Sequence, residues 1–142
     1  PVYDFEAGKL TADDFVLRGL QLNDNFVNDS NNDWKHQGML FGSAFIGYNE
    51  YGVSVDKKNL INRVLLNIYT PTRRGIAMGD TKYLLLFVYG MPTRIVESTT
   101  NSGTSTVYEY KNPAASNSYL QFALDEKNQY IKSVMLSDRP VK

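Results

Sequence analysis

A segment that occurs twice constrains the fold of this chain more than any other feature of its sequence. Residues 18–24 (RGLQLND) and residues 74–80 (RGIAMGD) share an Arg-Gly start, apolar residues at alternate positions, a Gly or Asn, and a final Asp. Two copies of one structural unit are the leading explanation of such a match, and chance similarity between short patterns is the alternative. We therefore expect one repeat in residues 1–70 and a second in residues 71–142, joined as one compact unit.

The second copy leads into the clearest helix signal in the chain. Asp80 is a favourable N-cap, residues 81–89 become strongly apolar, and Gly90 followed by Pro92 is a typical helix end. A run this apolar indicates a helix of the protein core. The side chains that we expect the helix to bury are Leu84, Leu85, Val88 and, at least in part, Phe87.

The first half has weaker helix signals. Asp24 could cap a helix through Phe26 and Val27, but poor helix formers follow at residues 28–33. An earlier capping pattern, Thr11 with Asp14 three residues later, predicts a short helix over residues 12–17.

Three strand signals follow in each half and are separated by turn-forming residues. They cover residues 43–48, 51–55 and 61–69 in the first half, and residues 105–111, 119–124 and 130–137 in the second half. In both halves the last two strands flank a turn that contains Asp and Asn. Each half therefore reads as a helix followed by three strands.

Alternation along these strands sorts the side chains onto two faces of a sheet. The apolar set, which we expect to lie under the helices, is Val53, Val55, Val64, Leu66, Ile68, Leu120, Phe122, Leu124, Val134 and Leu136. The opposite face contains Ser54 and Ala123 together with the residues that we take as the candidate binding face: Arg63, Leu65, Asn67, Val107, Glu109, Gln121, Ser133 and Met135. This mixture of polar and apolar groups suits a protein-binding surface, and it equally suits the half-solvated face of an ordinary antiparallel sheet.

Composition narrows the class of function. The 142 residues suffice for one domain or for two small modules that share a core. Fifteen basic residues balance fifteen acidic residues without a dense basic cluster, so neither nucleic acid nor an anionic membrane is favoured as a partner.

Cysteine is absent, which excludes disulfides, thiol catalysis and zinc–thiolate sites. No apolar run is long enough for a transmembrane segment, and a start at Pro1 without an initiator Met suggests a trimmed or mature form.

Residues with catalytic or metal-binding chemistry are few and carry no motif. His36 is the sole histidine, and no Gly-x-Ser-x-Gly elbow marks a serine nucleophile. Residues 29–33 (DSNND) begin like a calcium loop, but Trp34 stands where that loop needs Gly and Leu40 where it needs Glu. A pair of catalytic carboxylates that meet only in the fold stays open. We expect no catalytic residue, no metal site and no cofactor.

Short motifs in the second half follow one pattern. Gly79-Asp80 and Gly90-Met91-Pro92 frame the apolar helix, and meander strands lie within residues 107–110, 120–125 and 131–136. This pattern resembles the small module shared by the beta-lactamase inhibitor protein family and the SmpA/OmlA (BamE-type) lipoproteins. The first copy matches the start of the pattern at residues 22–24, but residues 34–38 (WKHQG) replace its Gly-x-Pro.

The resemblance covers most of residues 15–137 and has consequences for fold and function. It implies an α+β fold with two tandem helix–antiparallel-meander repeats that form one curved antiparallel sheet, with short helices packed on one face. It also implies a non-catalytic module of an exported or envelope-associated bacterial protein, at the cell surface or in the periplasm. Such a module would bind a protein or a cell-envelope component through its open sheet face, without nucleic acid or a transmembrane segment; the oligomeric state is left open.

Two alternative functions are a small hydrolase or ligand-binding enzyme without a linear motif, and a structural module of a larger protein. If the open face binds a partner, Arg63 and Met135 should be anchors whose replacement leaves folding nearly intact. His36→Ala should then leave function unchanged.

Overall fold

Eight strands form one antiparallel sheet in the computed structural model of the chain, which describes residues 6–32, 35–67, 69–101 and 103–142. In chain order the strands are β1 (His36–Leu40), β2 (Ser43–Gly47), β3 (Tyr51–Val55), β4 (Ile61–Leu66), β5 (Arg94–Thr100), β6 (Gly103–Lys111), β7 (Tyr119–Leu124) and β8 (Ile131–Ser137). One α-helix, α1 (Lys82–Tyr89), lies between β4 and β5 in the sequence, and a 3-10 turn covers Ala12–Phe15. Within the described residues, no helix has the length and apolar character needed to cross a membrane.

The two halves of the chain meet at the centre of the sheet. The strand order is β1-β2-β3-β4-β8-β7-β6-β5, so each half supplies a meander of four strands. The last strands of the two meanders, β4 and β8, pair antiparallel, with Val64 opposite Leu136 and Leu65 opposite Met135. Both halves thus have the same strand order, while the division into repeats at residues 70 and 71 stays a prediction.

The expected α+β fold class, with a short helix packed on the sheet in each repeat and three strands per repeat, is wrong. The molecule is mostly sheet: the described residues hold a single α-helix of 8 residues, and strands β1 and β5 were not expected. After Asp24 the chain is extended rather than helical. Asn25 forms a β-bridge with Leu60, and the Phe26 amide donates to the Asn59 carbonyl at 2.9 Å. Backbone pairing with the sheet therefore replaces the expected helix.

The helix expected over residues 12–17 is reduced to the 3-10 turn Ala12–Phe15. Thr11 and Asp14 do form the predicted capping box at its start. Val16 then turns to an extended conformation (φ −125°, ψ 121°), which ends the turn after four residues.

The segment that occurs twice has the same backbone role in both halves. Each copy exchanges two hydrogen bonds with the first residue of the last strand of its meander. The pairs are Asn23 N to Ile61 O (2.8 Å) with Ile61 N to Asp24 O (2.9 Å), and Gly79 N to Ile131 O (2.8 Å) with Ile131 N to Asp80 O (2.8 Å). Asn23 (φ 70°) and Gly79 (φ 96°) are both left-handed, a conformation that Gly and Asn adopt more easily than other residues. This requirement explains the Gly or Asn in the shared pattern.

Helix α1 begins one residue later than expected. Thr81 is its N-cap and accepts a hydrogen bond from a backbone amide of the first turn at 3.2 Å, whereas the Asp80 carboxylate accepts from the Ala77 amide at 2.8 Å. Gly90 is the C-cap, as expected, with φ of 78°. A Cβ atom at Gly90 would lie 2.6 Å from the backbone nitrogen of Gly8. The helix end and the N-terminal segment are therefore in direct contact.

Only one side of α1 is buried. Leu85, Val88 and Tyr89 are buried, whereas Leu84 is 42% exposed and Phe87 is 79% exposed. The expectation that the helix buries Leu84 and Phe87 is wrong, because a helix that lies on a sheet contacts it along one stripe of its surface.

The face of the sheet that carries the predicted apolar set forms the core. Every described member of that set is buried, which confirms the assignment, and Ile68 lies outside the described residues. Tyr89 of α1 packs on Tyr110 and Phe122 with ring centroids 5.5 and 5.2 Å apart. Its hydroxyl donates to Thr72 at 2.8 Å, and burial raises the pKa of Tyr89 to about 12.

Arg74 joins three segments that cover this core. The side chain is buried, and each of the five N–H groups of a guanidinium can donate one hydrogen bond. The acceptors are Asp14 Oδ1 (2.8 Å) and Oδ2 (3.0 Å) and the carbonyl oxygens of Glu6 (3.0 Å), Lys9 (3.0 Å) and Val88 (2.9 Å). A buried charge is tolerated when it is paired and fully hydrogen-bonded in this way. The cluster holds the N-terminal segment, the 3-10 turn and the end of α1 together.

The neighbours Leu85 and Leu84 provide a matched test of the helix packing. Leu85→Ala should lower the free energy of unfolding by roughly 2–5 kcal/mol, because it leaves a cavity in the core. Leu84→Ala should cost less than about 1 kcal/mol, because its side chain is 42% exposed. Urea denaturation of both variants measures the difference, and equal losses would show that the helix packs on the sheet by a different face.

Asp14 should make stability depend on pH in acid. Burial raises the pKa of Asp14, but hydrogen bonds from Arg74 and the Thr11 amide and the charge of Arg74 lower it further, so the pKa lies below its ordinary value. A carboxyl whose pKa is lowered by folding stabilises the protein above its unfolded-state pKa of about 3.9, and the contribution is lost as the pH falls through the folded-state pKa. We expect the free energy of unfolding to fall below about pH 4, and to fall less steeply in Asp14→Asn.

Urea denaturation between about pH 2 and pH 7 measures this effect. At neutral pH, Asp14→Asn should lower the free energy of unfolding by about 3–5 kcal/mol, because Arg74 keeps a buried charge without its partner. Asp13→Asn is the matched control, since Asp13 is the exposed neighbour in the same turn. An acid dependence that is identical in wild type and Asp14→Asn would refute the assignment.

Candidate functional site

A cleft of about 630 Å³ lies on the sheet face opposite the core. Its floor spans the central β4–β8 pairing, with Arg63 on β4, Met135 on β8 and Ala123 on β7. Phe41, from the turn between β1 and β2, and the C-terminal residues 139–142 complete the lining. Ligand sites commonly have volumes of about 300–1,000 Å³. The open face therefore offers a concave site of suitable size.

The cleft brings together most of the residues predicted for the binding face, namely Arg63, Val107, Gln121, Ser133 and Met135. Three predicted residues do not line it. Leu65 is half-buried beside Met135 across the β4–β8 pairing, and Asn67 donates to the carbonyl oxygens of Tyr48 and Asn49 at 2.8 Å each. Asn67 thus closes the turn between β2 and β3. The third, Glu109, is bonded to the chain's own C-terminal segment.

Glu109 anchors that C-terminal segment across the open face. Its buried carboxylate accepts hydrogen bonds from Gln121 Nε2 at 2.9 Å, from Arg94 Nη1 at 3.1 Å and from the Val141 amide at 2.7 Å. Gln121 also donates to the Arg139 carbonyl at 3.1 Å, and Arg94 to the Val141 carbonyl at 3.0 Å. Two predicted binding residues, Glu109 and Gln121, are therefore occupied within the molecule. No local pattern at residues 138–142 indicates this arrangement.

Arg63 is buried rather than exposed, so its expected placement at the surface is wrong, while its role as an anchor whose replacement leaves folding nearly intact stays a prediction. The residue is 5% exposed, and the Phe41 ring lies against its guanidinium, 4.5 Å from Cζ to the ring centroid. Phe41 (φ 50°) and Gly42 (φ 79°) form the two-residue turn between β1 and β2, which brings the ring over the face. Burial and, to a lesser degree, the nearby charge of Arg139 lower the pKa of Arg63, whereas Asp138 opposes the shift.

On the part of the open face formed by β2 and β3, the Phe45 ring covers the strands. A Cβ atom at Gly52 would lie 2.4 Å from the Phe45 ring, and one at Gly47 would lie 3.2 Å from it. The ring therefore rests on the two glycines and closes this part of the face. His36 is exposed on β1 and does not line the cleft.

The loop that begins like a calcium site uses its first carboxylate to hold itself to the sheet. Asp29 accepts from the Tyr51 hydroxyl at 2.6 Å, from the Asn32 side chain at 2.7 Å and from the Asn31 amide at 3.0 Å. The hydrogen bond from Tyr51 is the main cause that lowers the pKa of Asp29. Asp33 and Trp34 lie outside the described residues. Within the part of the chain that the structure describes, no group of three or more potential ligand side chains could hold a metal ion.

The described side chains that line the cleft are mainly serine, basic and apolar groups. Serine hydroxyls line it at four positions: Ser98, Ser105, Ser133 and Ser137. A serine becomes a nucleophile when a base such as histidine, a carboxylate or a neutral lysine is within hydrogen-bond reach. Among the described residues, no His, Asp or Glu lines the cleft. The arrangement offers hydrogen-bond donors, positive charge and apolar contact area.

Comparison with known proteins adds no relative: no family model, curated protein or solved structure matches this chain.

Proposed function

We propose that the chain is a non-catalytic binding module that holds a protein, or another component of the cell envelope, in the cleft on its open sheet face. The lining of the cleft is the main support for this proposal. It combines apolar side chains with serine hydroxyls and basic groups, and the described lining residues include no His, Asp or Glu.

The distribution of polarity in the cleft suits a protein partner. Val107, Ala123, Met135 and Val141 supply apolar contacts, and the serines and basic side chains supply polar ones. Protein interfaces commonly have an apolar centre with a polar rim, and Met and Arg are enriched in them. The balanced formal charge of the whole chain does not favour nucleic acid as the partner.

An exported or envelope-associated location belongs to the same proposal. It rests on the resemblance of Gly79-Asp80 and Gly90-Met91-Pro92 to the module of beta-lactamase inhibitor proteins and BamE-type lipoproteins. Fractionation of the source cells with an antibody against the chain tests this location directly, and recovery only in the cytoplasm would refute it.

Filling the cleft should abolish partner binding. Ala123→Trp places a large neutral side chain on the cleft floor, and we expect it to weaken partner binding by at least about tenfold through steric exclusion. The partner is first identified by photo-crosslinking from position 133 in the envelope fraction, and its affinity for the purified chain is then measured by calorimetry.

Ala115→Trp is the matched control, because Ala115 is exposed in the loop between β6 and β7. It carries the same change in side-chain volume away from the cleft. Circular dichroism checks that both variants fold. If Ala123→Trp folds and binds the partner as tightly as Ala115→Trp, the cleft is not the binding site.

His36→Ala separates binding from catalysis. Because His36 does not line the cleft, the substitution should leave partner affinity within about twofold of wild type. The same proteins are assayed for hydrolysis of ester, amide and glycoside substrates. A hydrolytic activity that disappears with His36→Ala but persists in Ala123→Trp would favour the enzyme over the binding module.

A further inference from the structure

Arg63 carries a charge that the described part of the molecule does not neutralise. The residue is 5% exposed and lines the cleft. Among the described residues it forms no ion pair, and its Nη1 atom is buried without a hydrogen-bond partner. A buried charge without a partner is strongly unfavourable, and most buried polar groups in folded proteins are hydrogen-bonded. The contrast with Arg74, whose guanidinium is satisfied by Asp14 and three carbonyl groups, is direct.

The surroundings of Arg63 strengthen the positive character of the cleft. Lys132, Arg139 and Lys142 also line it, and no acidic residue does so among the described residues. Glu109 and Asp138 already have partners. Glu109 is bonded to Arg94 and Gln121, and the Asp138 carboxylate accepts from Arg139 Nε at 3.1 Å. The whole chain has equal numbers of basic and acidic residues, yet the charged side chains described in the cleft lining are all positive.

We propose that Arg63 anchors a carboxylate-binding subsite in the cleft, and that its occupant is an acidic side chain of the partner protein flanked by apolar residues. The inference rests on the proposed binding function and names the chemistry of the partner. A guanidinium presents a planar fork of N–H donors that matches a carboxylate, and charge-assisted hydrogen bonds are stronger where water is excluded. Val107, Met135 and Val141 provide the apolar contacts for the flanking residues.

Phe41 covers one face of the Arg63 guanidinium. Its ring lies on the Arg63 guanidinium, yet the side chain is 61% exposed, so few contacts hold it in place. The ring also orients the guanidinium through a cation–π contact while the subsite is empty.

Two capped peptides that differ by one charge test the proposal in the wild-type protein. The chain is labelled with ¹⁵N and titrated with acetyl-Leu-Glu-Leu-amide or acetyl-Leu-Gln-Leu-amide, while the Arg63 Nε–H signal and the backbone amides of Ser133 and Met135 are followed by NMR. We expect the glutamate peptide to shift these signals and to bind at least about tenfold more tightly than the glutamine peptide. Sodium decanoate, a carboxylate that is not a peptide, is titrated in parallel.

Arg63→Met supplies a second measurement, because it removes the charge while keeping an unbranched apolar side chain. The variant should bind both peptides equally. Arg18→Met is the control, since Arg18 is paired with Glu50 at 2.6 Å and does not line the cleft, and it should retain the preference for glutamate.

The outcomes separate this inference from the proposed function. Equal binding of the two peptides at the cleft by the wild-type protein would overturn the carboxylate subsite and leave the binding module standing. Absence of any shift with the glutamate peptide would also overturn it. Binding of decanoate without binding of the glutamate peptide would overturn the protein source of the carboxylate. A separate result would refute the proposed function: Ala123→Trp would fold and still bind the partner as tightly as wild type.

Discussion

The pairing of β4 with β8 is the contact on which both faces of the molecule depend. It is the point where the two meanders join into one sheet, and its register sets which residues lie side by side. On the core face it places Val64 opposite Leu136, and both are fully buried. On the other face it places Arg63 opposite Ser137, which both line the cleft. A shift of one residue would exchange the two faces of one meander relative to the other, so the core and the cleft are fixed by one register.

Different kinds of secondary structure pack over the core in the two halves of the chain. The second half uses α1, whereas the first half uses the 3-10 turn and extended segments whose partly buried side chains, Leu10, Leu20, Leu22 and Phe26, pack against the core. Met39 on the outer strand β1 is 71% exposed. The hydrogen bonds of Arg74 fasten the N-terminal segment to the end of α1. Arg18, at the matching position of the first copy, instead pairs with Glu50 at the surface.

The predictable parts of the structure are those whose signals are local. Alternation identified the buried members of β3, β4, β7 and β8, and the Gly-or-Asn position of the shared segment matches a left-handed backbone in both copies. Strands β1 and β5 were missed because they lie at the two edges of the sheet, where little apolar area is buried and the alternation is weak. Whether Leu84 or Leu85 is buried depends on the side of α1 that meets the sheet, which periodicity in so apolar a run does not settle.

The sequence predicted which residues lie on the candidate face, but not which of them are buried or already hydrogen-bonded within the molecule. Alternation placed Arg63, Gln121 and Met135 on one face, and all three line the cleft. The burial of Arg63 depends on Phe41, which reaches it through the turn between β1 and β2. Glu109 and Gln121 are hydrogen-bonded to each other and to the C-terminal segment, so they are not free to bind another molecule. Both are contacts between distant parts of the chain, for which a local pattern carries no signal.

The polar groups of the open face differ in how completely they are hydrogen-bonded within the molecule. Glu109 is satisfied by three donors, and Asn62 bonds to Ser54 and Ser43 beneath the face. Among the described residues, two buried side-chain atoms lack a hydrogen-bond partner, Arg63 Nη1 and Asn128 Oδ1. The second is a neutral amide oxygen in the turn before β8, and its desolvation costs far less than that of a charge. Among the described residues, Arg74 and Glu109 are thus fully hydrogen-bonded, whereas Arg63 is a buried cation without a matching anion beside the cleft, which is the pattern expected when the missing anion comes from another molecule.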